Sequence, residues 1–449
     1  MSDTISSKND LGALAVHERL AAALSGAIAA GTYGPGDRLP THRALARQFS
    51  VSIGSVTRAI DSLGAQGLVR SEVGRGTFVA ERPWSEAAAG PIDLAINAPT
   101  PVVTPEQLNA ASLLATQRLL RLGNGGYVDP VGTGEQRAVL ADWLGRLRAP
   151  LAAEEIILCN GAQQGLHLAM GVLKDQFGVV VTERASFPGA IAAATNLGLA
   201  LQAVTYDEEG PVPEALDRVL AETGPAMVYL TAICQNPLGY ETGPERRAAL
   251  AAVVARHGGY IIEDDIYGLY AAKGGPLYRQ ILPERTFYVT GLSKSLTPLL
   301  RLGVVAPPPE FAAAMRRRLR AECWGLPPVA VEIAVALIEQ GSADLAVHSL
   351  RREAAERVVL AGEVLQSGPL PMPEGAPHIW LRLAPLRAEQ IARRASEAGV
   401  RLGAPAAMQV GPEPVDGLRL CLMSPSQPAL RRGLEVVARL LAEDEDVVV

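Results

Sequence analysis

The chain has 449 residues, 48% of them hydrophobic, and carries 41 Lys and Arg against 47 Asp and Glu for a net charge of −6. That length exceeds what a single core fills, so two or three domains are expected. No run is apolar enough to span a bilayer, the polar first ten residues lack the apolar core of a secretory signal, and Cys159, Cys234, Cys323 and Cys421 show no C-x-x-C spacing. These features argue against a membrane protein, a disulfide framework or a metal centre, and they point to a cytoplasmic protein.

The charge is unevenly placed. Residues 1–80 hold eight Lys and Arg against six Asp and Glu, a balance of +2 that leaves −8 for the remainder, and residues 38–75 hold six Arg against two acids. A small positive module on an acidic body suggests that an anion is met at the N-terminus.

In chain order, the first element is a helix from Val16 to Ala30, closed by Gly31. After the turn Gly34-Pro35-Gly36-Asp37 comes a short helix from Arg43 to Phe49 with Thr41 as its N-cap. A tight Ser50-Val51-Ser52 link leads to a second amphipathic helix ending near Gly64, with Val56, Ile60 and Leu63 on its inner face. Two strands, 68–70 and 77–79, then flank Gly74-Arg75-Gly76 as a hairpin. This is the plan of a winged helix-turn-helix over residues 11–81. Its second helix would enter the major groove of double-stranded DNA, with Arg43, Arg47 and Arg58 on phosphates or base edges and Ser55 and Thr57 in the candidate contact set. Arg75 would reach the minor groove or the backbone. The runs GDRLPTHRALA at 36–46 and GRGTFV at 74–79 resemble the DNA-binding domain of GntR-family regulators. Where many relatives have Arg-x-Thr at the start of the recognition helix, this chain has Ile53-Gly54-Ser55, so its base readout would differ.

A short Ala/Gly/Pro-containing linker follows at 82–91. From residue 92 onward, apolar strands alternate with helices: 155–159, 179–181, 227–231, 260–263 and 287–289 read as strands. Such alternation indicates an α/β body with a mostly parallel sheet covered on both faces and ligands at the strands' C-terminal ends. Helices from about 310 to 366 lead to a smaller C-terminal α/β subdomain, from about 345, containing 378–383 and 418–423.

Polar residues cluster at those strand ends. Asn160-Gly161-Ala162-Gln163 turns a strand into a helix whose free N–H groups suit a phosphate. Asp264-Asp265-Ile266-Tyr267 follows one strand, and Gly291-Leu292-Ser293-Lys294-Ser295 with Arg301 follows another. Only four Lys occur in the chain (Lys8, Lys174, Lys273, Lys294), and Arg cannot offer the neutral nucleophilic amine that a desolvated Lys can. Together with Asn236, these residues supply an amine for a Schiff base, a carboxylate for a pyridinium nitrogen, donors for a phenolate oxygen and a phosphate cradle. Pyridoxal 5'-phosphate (PLP) needs each of them.

This part of the chain resembles the fold-type I aminotransferases. The resemblance implies that Lys294 carries PLP as a Schiff base and that Asp264 pairs with the ring nitrogen, because the family pattern places a Tyr three residues later, here Tyr267. It further implies Asn236 and Tyr267 on the ring oxygen, Ala162, Gln163, Ser293 and Arg301 on the phosphate, and Phe187 against the ring. Tyr127 resembles the Tyr that reaches the phosphate from the partner subunit. Arg419 matches the Arg that grips an α-carboxylate. Gly291, Leu238 and Ala185-Ser186-Phe187 depart from the usual residues and would tune cofactor affinity.

A GntR-type domain joined to such a body resembles the MocR subfamily of transcription regulators. The expectation is a PLP-binding homodimer, head to tail, that senses a small amine, an amino acid or PLP itself by exchange at Lys294. The alternative is an active amino acid aminotransferase with an appended DNA-binding domain.

Overall fold

The computed structural model describes residues 16–29, 32–34, 36–65, 68–72, 75–79, 90–121, 126–270, 274–366 and 375–443. The expected linker therefore lies outside the described residues except for Gly90 and Pro91, as do the start of the first domain at 11–15, Gly31 and Gly74. The chain divides into two compact units, Met1–Gly90 and Pro91–Val449.

In the first unit, α1 (Val16–Ala29), α2 (His42–Gln48) and α3 (Ile53–Ala65) precede the antiparallel hairpin of β1 (Val69–Glu72) and β2 (Gly76–Val79). The Thr41 hydroxyl caps α2 by accepting from the Ala44 N–H at 3.3 Å. Val56, Ile60 and Leu63 of α3 recur once per turn and are buried with Leu20 and Leu24 of α1, Leu45 of α2 and Val69 and Val79 of the hairpin. The stretch before α2 lies along the hairpin: Gly36 N–H donates to the Val79 carbonyl and Leu39 N–H to the Thr77 carbonyl. The wing is thus tied to the turn that launches the helices.

The second unit begins with β3 (Ile92–Asp93), α4 (Pro105–Arg121) and α5 (Gly134–Leu147). There follow β4 (Ile157–Asn160), α6 (Gly161–Leu173), β5 (Val179–Glu183), α7 (Pro188–Asn196), β6 (Ala200–Val204), β7 (Tyr206–Asp207), β8 (Gly210–Pro211) and α8 (Pro213–Thr223). Next come β9 (Met227–Leu230), α9 (Pro244–Arg256), β10 (Tyr260–Asp264), α10 (Tyr278–Ile281), β11 (Thr286–Gly291), β12 (Leu302–Ala306), α11 (Pro309–Cys323) and α12 (Pro328–Glu339). The unit closes with α13 (Ser342–Leu365), β13 (His378–Arg382), α14 (Pro385–Glu397), β14 (Val400–Arg401), β15 (Gly417–Cys421) and α15 (Gln427–Glu443).

Seven strands form the main sheet in the order β4-β12-β11-β10-β9-β5-β6. Pairing is parallel from β6 through β11, whereas β12 runs antiparallel to both β11 and β4. Every residue of β9, β11 and β12 is buried, as continuous apolar strands covered on both faces require. Two strands of this sheet, β6 and β12, lack the sequence signal that marks the others. β6 is an edge strand with alternating exposure, so it lacks a continuous apolar run. β12 begins directly after Arg301, at φ +51°, and Gly303 interrupts its short apolar run.

The small subdomain pairs β13 with β15 and packs α13, α14 and α15 around them. It also takes in the start of the unit: β3 pairs in parallel with β14, and Leu94 is buried among Ile379, Leu418 and Leu434. Among the described residues, no helix is long and apolar enough to cross a membrane.

Candidate functional site

Three glycines meet where β4, β11 and β12 come together. Gly303 lies opposite both Gly291 and Cys159. A Cβ on Gly303 would stand 2.4 Å from the carbonyl carbon of Gly161 and 2.8 Å from Ala162 N. Gly161 has φ +72°, which lets the strand turn directly into the 13-residue α6. The first N–H groups of that helix, including those of Ala162 and Gln163, have no intrahelical partner. Arg301 brings its guanidinium to the same corner: a Cβ on Gly161 would be 2.8 Å from its Nη2, and its Nη1 donates to Ser293 Oγ at 3.3 Å. A helix N-terminus, a guanidinium and a hydroxyl at one point suit a phosphate group. Gln163 turns its side chain to α7, donating to the Gly189 carbonyl at 2.7 Å, and Phe187 packs beside that glycine.

Lys294 stands in the tight turn after β11, and its ammonium donates to the backbone carbonyl of Asn97. Burial pushes the amine down to about 8; the Cys421 thiol opposes this, and the positive charges of Arg419 and Arg301 reinforce it. Asp264 ends β10, buried. Its carboxylate accepts from the Tyr229 hydroxyl at 2.8 Å and from the Ile266 N–H at 3.2 Å. Burial pushes this carboxyl up to about 6 against the pull of the Tyr229 hydrogen bond. Asp265 is otherwise engaged. It holds Arg148 through two contacts, at 3.0 and 3.2 Å, and accepts from the Tyr288 hydroxyl at 3.0 Å. The two adjacent carboxylates thus face different partners.

Arg419 on β15 donates to Asn236 Oδ1 at 2.5 Å and to the Ala95 carbonyl at 2.6 Å, while its buried Nε has no hydrogen-bond partner among the described residues. Because Asn236 accepts through Oδ1, its amide nitrogen is left to donate. Tyr267 is buried, and its hydroxyl accepts from Asn97 Nδ2 at 3.0 Å. At the C-terminal edge of the sheet, Asn97 links Lys294 to Tyr267 and Arg419 holds Asn236, while Asp264, bonded to Tyr229, acts on Lys294 through its charge. Tyr127 stands apart: it is 87% exposed and packs against Trp324 with ring centroids 5.4 Å apart.

Three residues around this site carry no signal strong enough to be singled out from the sequence. Asn97 touches both Lys294 and Tyr267 from a loop 170 or more positions away. His378 is fully buried, with Nδ1 3.0 Å from Asn97 Nδ2 and Nε2 3.0 Å from the Gln235 carbonyl. Tyr229 lies inside a wholly buried strand, where a hydroxyl must find a partner, and that requirement was the available clue.

In the first unit, Arg43, Arg47, Thr57, Arg58 and Arg75 are exposed. Arg47 Nε donates to the Arg43 carbonyl at 3.3 Å, and Thr57 Oγ1 lies 3.4 Å from His42 Nδ1, which joins the two helices. Ser55 differs from this set. It is 8% exposed, and its hydroxyl lies 2.9 Å from that of Ser52, whose oxygen also accepts from the Ser55 N–H. It secures the first turn of α3 and does not present its hydroxyl outward with the others.

A cavity of about 1130 Å³ lies elsewhere in the body, between residues 202–209 and the segments around Trp380 and Glu413. None of the candidate residues lines it, and its carboxylates are already paired: Asp207 and Glu209 with Arg246, Glu413 and Asp416 with Arg184.

Residues 16–79 match the description "Bacterial regulatory proteins, gntR family", and residues 89–437 match "Aminotransferase class I and II". The chain is 28% identical to the "Probable rhizopine catabolism regulatory protein MocR" of Rhizobium meliloti, over 76% of this chain and 75% of that one. It is 29% identical to a 2-aminoadipate transaminase of Thermus thermophilus, over 70% of this chain and 81% of that one. The crystal structure of LysN, an alpha-aminoadipate aminotransferase of the same species complexed with N-(5'-phosphopyridoxyl)-L-leucine, superposes with a TM-score of 0.71 at 25% identity, over 81% of this chain and 97% of that one. Members of this aminotransferase fold use PLP. The chain belongs to the class I and II aminotransferase family and, through the GntR-type DNA-binding domain joined to that body, to the MocR subfamily of regulators.

Proposed function

We propose that this chain is a DNA-binding transcription regulator whose body holds PLP on Lys294 and reads a small amine, an amino acid or PLP itself as its effector. The observation that carries the reading is Lys294 itself: an amine held near 8 by burial, bonded to the Asn97 carbonyl and under the charges of Asp264 and Arg419.

The residues fit the cofactor by chemistry. The glycine corner with Ala162, Gln163, Ser293 and Arg301 suits its phosphate, where a Cβ on Gly303 would collide with backbone. Asp264 suits the ring nitrogen, since Asp265 is already taken by Arg148 and Tyr288. Asn236 Nδ2 and the Tyr267 hydroxyl suit the ring oxygen, and Phe187 suits the ring face. Arg419, with its unpartnered Nε, suits an effector carboxylate that would compete with Asn236 and Ala95 for the guanidinium. When bound, PLP supplies an aldehyde carbon that condenses with primary amines and a ring that withdraws electrons.

Lys294 in its neutral form is the nucleophile that anchors the cofactor. A Lys294 freed of the cofactor would hold its nitrogen beside the Asn97 carbonyl and change the charge next to Arg419. Such a change regulates DNA binding only where it favours one of two conformations over the other. The exposed Tyr127 is free to meet a second copy in a head-to-tail homodimer. A cytoplasmic location accords with contact to the cell's own DNA.

The test is a gel shift of the PLP-loaded chain on the DNA upstream of its own gene, with excess random-sequence competitor and a panel of amines. We expect a shift that survives the competitor and responds to one amine, and a Lys294→Ala protein that still shifts the DNA but ignores the amine. A shift erased by random DNA would remove the regulator reading, since phosphate contacts alone would then account for it. A full response from Lys294→Ala would remove the sensing role of Lys294. The likeness to a transaminase supports a second reading, turnover, which predicts steady 2-oxo acid formation from an amino donor and acceptor.

A further inference from the structure

We propose that His378 is a positioning residue that, through Asn97, fixes the direction in which the Tyr267 hydroxyl points its proton. The inference rests on the PLP reading of the site and names the residue that sets the polarity of one of its donors.

His378 opens β13, fully buried, and its Nε2 lies 3.0 Å from the carbonyl oxygen of Gln235. A carbonyl only accepts, so Nε2 must carry the proton. The surrounding groups keep the ring from taking a second one: burial, with the charges of Arg419 and Lys294 nearby, holds it down to about 3. Nδ1 is then a bare lone pair and can only accept. Its neighbour at 3.0 Å is Asn97 Nδ2, so the Asn97 amide must present its NH2 end to the histidine. The same nitrogen lies 3.0 Å from the Tyr267 hydroxyl and gives its second proton there. With its oxygen accepting, Tyr267 must send its own proton in another direction, to the side where the ring oxygen of the cofactor would be met.

Remove the lone pair at position 378 and the Asn97 amide loses the acceptor that fixes which end it turns to Tyr267. Asn97 can then flip, offer Oδ1 to Tyr267 and draw its proton away from the cofactor. A hydrogen bond to the cofactor's ring oxygen makes that oxygen a weaker base; without it, the Lys294-linked cofactor keeps its proton to a higher pH.

The experiment uses the full-length, PLP-loaded chain and follows the absorption bands of the bound cofactor against pH. In His378→Phe and in Tyr267→Phe, the pH at which the bands interchange is expected to rise by about one unit, with no further rise in the double variant. His378→Asn, which restores an acceptor beside Asn97, is expected to return the midpoint close to that of the parent. An unmoved midpoint in His378→Phe beside a shifted one in Tyr267→Phe would overturn the proposal, as would additive shifts in the double variant. Should His378→Phe not fold, nitrogen NMR of histidine-labelled parent protein decides the matter. A neutral ring protonated on Nε2 is expected between about pH 5 and 9, and a proton on Nδ1 or a charged ring overturns the proposal. A parent protein that shows no borohydride-trappable cofactor would instead overturn the PLP reading and the inference with it.

Discussion

Arg43 and Lys294 are both cations placed by short turns, yet they stand in opposite surroundings. Arg43 is exposed on α2, and the core beneath it consists of aliphatic side chains that take no part in its chemistry. Lys294 is linked to Asn97, and Asn97 in turn to Tyr267 and His378. In the first unit, packing and function are separate layers, so a change in one leaves the other intact. In the body they are the same layer: each buried polar group sets which neighbour donates and which accepts, and a single change propagates through the network.

The largest expected contrast is in pH dependence. With its amine held down to about 8, Lys294 should capture added PLP roughly tenfold faster per pH unit below that value and level off above it. The appearance of the cofactor's absorption band after mixing measures this, and a rate still climbing at about pH 10 would place Lys294 in solvent-like surroundings.

Next in size is Asp264. Burial raises its carboxyl from 3.8 to about 6, so its contribution to stability is fully present at low pH and is lost as pH rises through about 6. In cofactor-free protein, Asp264→Asn should gain roughly 2–3 kcal/mol at about pH 8 and close to nothing at about pH 4, while its affinity for PLP falls. Denaturant unfolding at the two pH values checks the sign; an equal effect at both would show that the buried charge is not what costs stability.

The smallest effects belong to the first unit and separate its two layers. Arg43→Ala should weaken DNA binding about three- to tenfold and make the salt dependence shallower by about one phosphate contact, with stability unchanged. Ser55→Ala should do the reverse, losing about 1 kcal/mol from the first turn of α3 with the salt slope intact. A Ser55→Ala protein with full stability but impaired DNA binding would put that hydroxyl at the interface after all.

The same contrast explains what could be read from sequence. The first unit was legible almost throughout, because local patterns carry it: the Thr41 cap and the repeat of Val56, Ile60 and Leu63 all act within a few residues. In the body, the alternation of strands and helices and the clusters after β4, β10 and β11 were legible for the same reason. Asn97 and His378 were not, since they meet across 281 positions and nothing local requires either of them. Ser55 misled in the opposite direction: its place in the recognition helix suggested a contact, while a neighbouring Ser52 claims the hydroxyl.

The pairing of β3 with β14 joins residues 92–93 to residues 400–401. During synthesis, the first unit has its complete hydrophobic core once the ribosome has passed residue 79, whereas β3 waits for more than three hundred further residues before its partner strand exists. A premature stop codon anywhere between them would release a DNA-binding module attached to an unfinished body. Such a truncated product would keep the folded core of the first unit and lack the β3–β14 pairing that closes the body.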